Sequence, residues 1–263
     1  GTTPAIHIDE NKKVTVGESG VASTISGITF FQGDTGSIYT HDVSGTDSTA
    51  QYNTAYGLTA LDAVTTGDSN TAIGYGAGGA NNSGGHGTFI GYNAGVANTT
   101  AHENMCIGSA AGASITTGGG NTMIGRECGD GFDAETHNLA IGVAAFGGAV
   151  NGGEYNVAIG NYSLDALTTA DANTAVGYNA GTSITTGGSN VMVGYLAGDA
   201  IADGNKNTII GSEAAGALNS GTNNVIIGTE AGAALTSGTY SVFIGTNAGD
   251  GHDTEGSNIG IGY

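Results

Sequence analysis

The stretch NTAIGYGAGG, residues 70–79, contains the feature that decides the fold. Its glycines at 74, 76 and 79 have the G-x-G-x-x-G spacing of a dinucleotide-binding loop and follow a short strand-like run. Such a loop must open a helix, because the N-terminal amide groups of that helix hold the pyrophosphate. The next residues, ANNSGG, open no helix. The glycine spacing therefore does not predict a phosphate site.

The glycine at position 74 belongs to a repeat that occupies most of the chain. Eleven of the twelve intervals between its copies are 17 residues, and the interval that ends at Gly160 is 18. The copies are Gly57, Gly74, Gly91, Gly108, Gly125, Gly142, Gly160, Gly177, Gly194, Gly211, Gly228, Gly245 and Gly262. A fixed period of this length is the signature of units that stack on their neighbours. The sequence therefore predicts a solenoid with one coil per 17 residues.

Composition agrees with a solenoid and limits the classes of partner. The 263 residues include 51 Gly, one Pro and no Trp, and only 10% of them are charged. The net charge of −19 predicts repulsion from nucleic acid and from anionic membrane surfaces. No apolar run reaches the length of a membrane-spanning helix, so we expect no membrane insertion. Cys106 and Cys128 are too few for a disulfide scaffold, and we interpret both as small apolar residues.

Alignment on the repeat glycine shows an apolar pattern on both faces of a short strand. The column one residue before the glycine is Ile or Val except at Tyr56, and the column three residues before it is Thr or aliphatic. Because side chains alternate along a strand, these two columns share one face, which we predict to be the interior. The column between them is apolar too, and a strand that is apolar on both faces is covered on both.

The repeat is too short to supply that second cover, so we expect another copy of the chain to provide it. The intermediate column would then pack between chains around a trimer axis. Its large members are Phe89, Met123, Met192, Ile209, Ile226 and Phe243.

Further columns predict how the coil is closed. Four residues before the glycine the chain has Asn in 11 of 13 repeats, with Gly87 and Ser241 as the exceptions. Stacked asparagines can form hydrogen bonds from one coil to the next. Three residues after the glycine the column is almost all Ala, and seven residues after it an apolar residue usually recurs. We expect these two columns to form the opposite wall of the coil.

The predicted fold class is all-β: a β-roll or β-solenoid of 17-residue coils, assembled as an intertwined homotrimeric fibre. About 12 coils over residues 53–263 would form a rod of roughly 55 to 60 Å. Residues 1–52 lack the period and contain strand-like runs at 5–8, 14–16 and 28–31, so we predict a β cap or neck there. The rod stops in mid-repeat at position 263, and we expect the natural chain to extend further.

Two other solenoids fit the sequence less well. A left-handed hexapeptide β-helix needs about three hexads per coil, and only one Ile-Gly-x-x-Ala-Gly phrase recurs in each coil. An ice-binding solenoid needs an unbroken flat array of threonines. The Thr-Thr column of this chain is interrupted in four coils, at 82–83, 133–134, 150–151 and 202–203.

The repeat phrase resembles that of known fibre proteins. Asn-x-Ala-Ile-Gly at 70–74 and 156–160, with Val for Ile at 173–177, resembles the repeat of the YadA-type head of trimeric autotransporter adhesins, a trimeric β-roll. The phrase NTAVGYNAG at 173–181 resembles repeats of phage tail fibres and of related bacterial surface fibres. Segment 4–17 is similar to a strand-turn-strand segment of such fibres.

This resemblance implies a structural or adhesive segment of an extracellular fibre on a virion tail or a bacterial cell surface. The implied partners are two further copies of the chain and a host cell-surface glycan or protein receptor. No catalytic residues are carried over, and the six histidines are scattered, so we predict that the chain is not an enzyme. A polysaccharide-processing tailspike and a passive fibre spacer stay open as alternatives.

One set of carboxylates has a spacing that could form a metal site. Two turns, 129–135 and 249–255, place acids in the same repeat columns. Oxygen ligands of this kind can hold Ca²⁺, whereas Asp and Gly are also common in solvated turns. We expect structural turns here, with Ca²⁺ as the only candidate ligand. The candidate ligands are Asp130, Asp133, Glu135, Asp250, Asp253 and Glu255.

Overall fold

The computed structural model shows an all-β chain whose repeats wind into a parallel β-solenoid of about 13 turns with coils of about 17 residues. It describes residues 6–8, 14–16, 23–25, 28–32, 38–39, 49–148 and 150–263. The predicted solenoid of 17-residue coils is therefore confirmed. The predicted strands near the N-terminus coincide with three of those observed there, apart from Ala5, which lies outside the described residues.

Every coil of the repeat contributes one three-residue strand that ends directly before its glycine. The strands of the described residues are β1 (Ile6–Ile8), β2 (Val14–Val16), β3 (Ser23–Ile25), β4 (Ile28–Gln32), β5 (Ile38–Tyr39), β6 (Thr54–Tyr56), β7 (Thr71–Ile73), β8 (Thr88–Ile90), β9 (Met105–Ile107), β10 (Thr122–Ile124), β11 (Leu139–Ile141), β12 (Val157–Ile159), β13 (Thr174–Val176), β14 (Val191–Val193), β15 (Thr208–Ile210), β16 (Val225–Ile227), β17 (Val242–Ile244) and β18 (Ile259–Ile261).

These strands form a small antiparallel pair, β1–β2, and one long sheet. In the long sheet β3 to β18 follow chain order. The pairs β3–β4 and β4–β5 are antiparallel, and every pair from β5–β6 onward is parallel. Because β5 pairs with β6, the sheet continues across the predicted boundary at residue 52.

The parallel pairing is in register throughout, so equivalent residues of successive coils face each other. At the single 18-residue interval Leu139 still pairs with Val157. The backbone N–H of Phe146 donates to the carbonyl of Ser163 in the next coil, as residues four after the glycine do in other coils. Val150, eight residues after Gly142, is buried in the position that other coils fill seven residues after their glycine. The extra residue is therefore absorbed between Phe146 and Val150, and the sheet does not change its register.

The interior of the coil contains the intermediate column of the strand, and the prediction for the two strand faces is wrong. The six residues predicted to pack between chains are fully buried inside one chain: Phe89, Met123, Met192, Ile209, Ile226 and Phe243. The Ile/Val column next to the glycine and the Thr/aliphatic column beyond it lie on the outer side of the strand, half-buried or exposed. The alanines three residues after the glycine and the apolar column seven residues after it close the interior as predicted.

Packing between two columns of the repeat explains why the intermediate column of the strand points into the coil. Each large side chain two residues before the repeat glycine is matched by Gly or Ala four residues after it, and Ala55, Ala140 and Ala158 are matched by Leu or Phe. Where Ala is matched by Gly, at Gly78 and Gly181, large side chains of the two adjacent coils lie against the glycine. A Cβ atom on Gly95 would lie less than 3.0 Å from the ring of Phe89, in the same coil. In another coil Ala158 is matched by Leu164, which is fully buried. Because interiors are close-packed, large and small residues compensate one another within a coil or between adjacent coils.

The buried asparagines form the predicted ladder from coil to coil. The backbone N–H of Asn224 donates to Oδ1 of Asn207 at 3.0 Å, and Nδ2 of Asn224 donates to the carbonyl of Gly238 at 2.8 Å. Oδ1 of Asn224 accepts the backbone N–H of Ser241 at 2.9 Å. The same pattern recurs from Asn53 onward. Each asparagine therefore satisfies backbone groups that the turn leaves inside the coil.

Replacing Ile226 by Ala tests the assignment of the strand faces against its neighbour Ile227. Ile226 is fully buried and Ile227 lies on the outer side. Loss of a buried Ile side chain costs about 2 to 5 kcal/mol, since a cavity remains. We expect urea unfolding to show a clearly larger loss for Ile226→Ala than for Ile227→Ala. Equal losses, or a larger loss for Ile227→Ala, would contradict the burial described above.

Asn224→Ala removes the hydrogen bonds of one step of the ladder. We expect it to lower the free energy of unfolding by about 1 to 3 kcal/mol for each buried group left without a partner. Asn224→Ser is the matched variant, because the natural Ser241 occupies the same column and its hydroxyl accepts the backbone N–H of Asn258 at 3.2 Å. Chemical denaturation should therefore rank Ser between Asn and Ala, and an unchanged Ala variant would argue against the ladder.

Candidate functional site

The outer side of the solenoid strands presents a long apolar surface to solvent. We call it the outer strand face: the residues one and three positions before each repeat glycine in β6–β18. Several of its large apolar side chains are between 37% and 41% exposed. They are Ile73, Met105, Val191, Ile210 and Ile244. Because the strands pair in register, these side chains form two continuous rows along the sheet.

The size of this surface points to an interaction. Thirteen strands about 4.8 Å apart extend for about 58 Å, and the two rows lie about 7 Å apart, which gives a stripe of about 400 Å². The row next to the glycine is apolar throughout, and the other row has Thr at six of its thirteen positions. Soluble monomers rarely expose larger continuous apolar patches, and those they do expose are often functional. The outer strand face is therefore the leading candidate for contact with another molecule.

A second surface feature begins directly after the repeat glycine, where tyrosines project into solvent. Tyr75 stacks on Tyr92 with ring centroids 5.6 Å apart, and Tyr178 stacks on Tyr195 at 5.7 Å. Tyr162, which lies two residues after its repeat glycine, meets Tyr178 edge-on with ring centroids 6.0 Å apart. We call these five residues the tyrosine strip. Sequence reasoning missed it, because the tyrosines occur within the repeat phrase and their exposure becomes visible only in the folded coil.

Three carboxylates lie in the turn after the tyrosine strip, each five residues after its repeat glycine. Burial raises the pKa of Asp130, and the nearby Glu127 raises it further. Burial is also the main cause of the raised pKa of Asp165 and of Asp199, with Glu213 contributing at Asp199. These acids thus hold their charge less readily than acids in water.

The structure does not bring the six calcium candidates together as a metal site. Glu135 is buried, and its two carboxylate oxygens accept the backbone N–H groups of Asp133 at 2.7 Å and Gly152 at 2.8 Å. Oδ1 of Asp133 accepts the hydroxyl of Thr116. Within the described residues no group of three or more His, Cys, Asp or Glu side chains could hold a metal ion.

The second acidic turn repeats this hydrogen bonding. Glu255 accepts the backbone N–H of Asp253 at 3.0 Å, and Asp253 accepts the hydroxyl of Thr236 at 2.8 Å. Hydrogen bonds from the backbone of Glu255 and Asp253 lower the pKa of Glu255. Asp250 lies at the start of this turn. These carboxylates therefore organise their own turns.

The two cysteines lie in the interior. Burial raises the pKa of Cys106 and of Cys128 to about 12. At neutral pH both side chains are therefore thiols, which are poor nucleophiles. This agrees with the interpretation of both as small apolar residues.

Comparison with known proteins leaves the resemblance to fibre repeats as a prediction. No family model matches the chain, and no curated protein or solved structure matches it either. Across the described part of the chain there is no helix that could cross a membrane.

The raised pKa values predict that the contribution of Asp130, Asp165 and Asp199 to stability decreases as the pH rises from 3.8, their ordinary pKa, through their higher folded values. An acid whose pKa is raised by folding makes the folded chain bind protons more tightly, so its destabilising effect is complete above the folded pKa. We expect Asp165→Asn with Asp199→Asn to flatten the pH dependence of the thermal unfolding midpoint. The control, Glu103→Gln with Glu230→Gln, removes the same charge at exposed positions. A double Asn variant as pH-dependent as this control would contradict the prediction.

Proposed function

We propose that the chain is a structural and adhesive segment of an extracellular homotrimeric fibre, on a virion tail or a bacterial cell surface. The observation that carries the proposal is the outer strand face, in which a row of mostly Ile and Val side chains runs along the whole solenoid beside a row of Thr and apolar residues. A stripe parallel to the rod axis suits side-by-side association of rods, because two copies in the same orientation keep their rows in contact over the full length.

Assembly through the outer strand face takes the place of the assembly predicted from the intermediate column. The strand is still apolar on both faces, but the face that another molecule would cover is the one that carries the Ile/Val column. Packing these rows against other copies would remove apolar area from water, which contributes about 25 cal/mol for each Å². The number of copies, three, rests on the resemblance to trimeric fibre repeats.

The remaining surface of such a fibre carries its charge and its exposed polar loops. The net charge of −19 favours solubility of a rod whose apolar stripe is covered. Receptor recognition comes from the resemblance alone, and fluorescently labelled rods applied to bacterial cells would test it, since a passive spacer would label none.

Light scattering of the purified chain tests the assembly. A trimer of a 25.6 kDa chain has a mass of 3 × 25.6 kDa, or about 77 kDa. We expect Ile210→Lys with Ile244→Lys to lower this mass, because both residues lie on the outer strand face and a buried Lys charge is costly. Thr169→Lys with Thr186→Lys adds the same charge on the exposed return loop and should keep the mass.

Two outcomes would count against the proposal. A wild-type chain with a mass of 25.6 kDa would show that the rod does not associate by itself. An unchanged mass for the Ile210→Lys and Ile244→Lys variant, with circular dichroism like that of the wild type, would remove the outer strand face from the interface.

A further inference from the structure

We propose that the tyrosine strip binds a neutral polysaccharide that runs along the rod. This inference deepens the proposed adhesive function, since it names a class of ligand and the surface that would bind it. The stacked pair of Tyr75 and Tyr92 forms one patch, and Tyr162, Tyr178 and Tyr195 form the other. Equivalent tyrosines of the two patches lie six coils apart, or about 29 Å at the spacing of parallel strands.

The fold does not require these aromatic side chains. Ser109 and Ser212 occupy the same column in other coils. The repeat glycine of the Ser109 coil donates its backbone N–H to Ile90 at 2.7 Å, and that of the Tyr92 coil donates to Ile73 at 2.8 Å. The strand and its turn thus form equally well with serine. The tyrosines, 38% to 58% exposed to water, add surface chemistry to a backbone that also forms without them.

The chemistry of the strip indicates a neutral polyhydroxylated ligand. A tyrosine ring offers an apolar surface to the C–H groups of a sugar and a hydroxyl that can donate or accept a hydrogen bond. The Asn93 side chain follows the first patch and Asn179 lies within the second, and both are uncharged amides that can donate and accept. The net charge of −19 disfavours sulfated or phosphorylated chains.

The shape of the strip favours an extended ligand over a folded protein. A protein partner generally anchors a few central residues in a well-packed pocket that is sealed by a rim. The strip is one or two residues wide, and its rings stack along the rod axis. A linear polymer can contact both patches at once, and such double attachment raises the overall affinity without any new contact.

Binding of the whole chain to immobilised polysaccharides tests the proposal. The probes are dextran, mannan and galactan as neutral chains, with dextran sulfate as the anionic comparison. We expect retention on at least one neutral chain, and none on dextran sulfate. Because the protein contains no Trp, the tyrosine fluorescence of the strip should also change when that polysaccharide is added in solution.

Serine variants localise the binding. Tyr178→Ser with Tyr195→Ser should weaken binding roughly tenfold or more, through the loss of one of two attachment points. Adding Tyr75→Ser and Tyr92→Ser should abolish it. The control is Tyr52→Ser with Tyr240→Ser, two tyrosines that are 60% and 66% exposed in a different column, and it should bind like the wild type.

Several results would overturn the proposal. They are retention on none of the neutral chains, retention on dextran sulfate alone, or full binding by the variant without the four tyrosines. A change in the mass of the assembly on replacing these tyrosines would assign the strip to contacts between chains instead. Because light scattering reports assembly separately, a rod that assembles but binds no polysaccharide would refute this inference and leave the fibre proposal standing.

Discussion

The close approach of backbone to backbone at the repeat glycine is the constraint on which the whole solenoid depends. These glycines have φ between +128° and +144°, a range that other residues rarely adopt. In all but the last of them, a Cβ atom would lie less than 3.0 Å from the carbonyl of the glycine in the next coil. The coils can therefore stack at strand spacing only if this one column carries no side chain. Strand pairing, the asparagine ladder and the rows of the outer strand face all follow from that stacking.

Much of the coil could be predicted from the sequence, because its periodic features are local. The 17-residue period fixed which residues share a column, and the alternation of a strand fixed which columns share a face. The asparagine ladder and the buried column seven residues after the glycine were predicted for the same reason. The predictions failed where the pattern was symmetric: the strand is apolar on both faces, and hydropathy does not distinguish an inner Ile226 from an outer Ile227.

The signal that separates the two faces was present in the variation of residue size. The inner column ranges from Ala to Phe. Its large members are all matched by Gly or Ala four residues after the glycine, as in Phe89 with Gly95, and three of its alanines are matched by Leu or Phe, as in Ala158 with Leu164. The outer column next to the glycine is Ile or Val except at Tyr56. A close-packed interior requires compensating sizes, whereas a surface row does not. For the surface, the sequence predicted a second apolar contact face but assigned the wrong residues to it, and it gave no measure of which tyrosines are exposed.

The one coil of 18 residues shows how a chain of this kind can change its length. An added residue between Phe146 and Val150 enlarges a loop and leaves the ladder on either side in register. An added residue within a strand would move every later side chain to the opposite face. Viable changes are thus small loop insertions, which alter the surface locally, or whole coils, which lengthen the rod in steps of about 4.8 Å. The length of the solenoid and the residues on its surface can therefore change independently of each other.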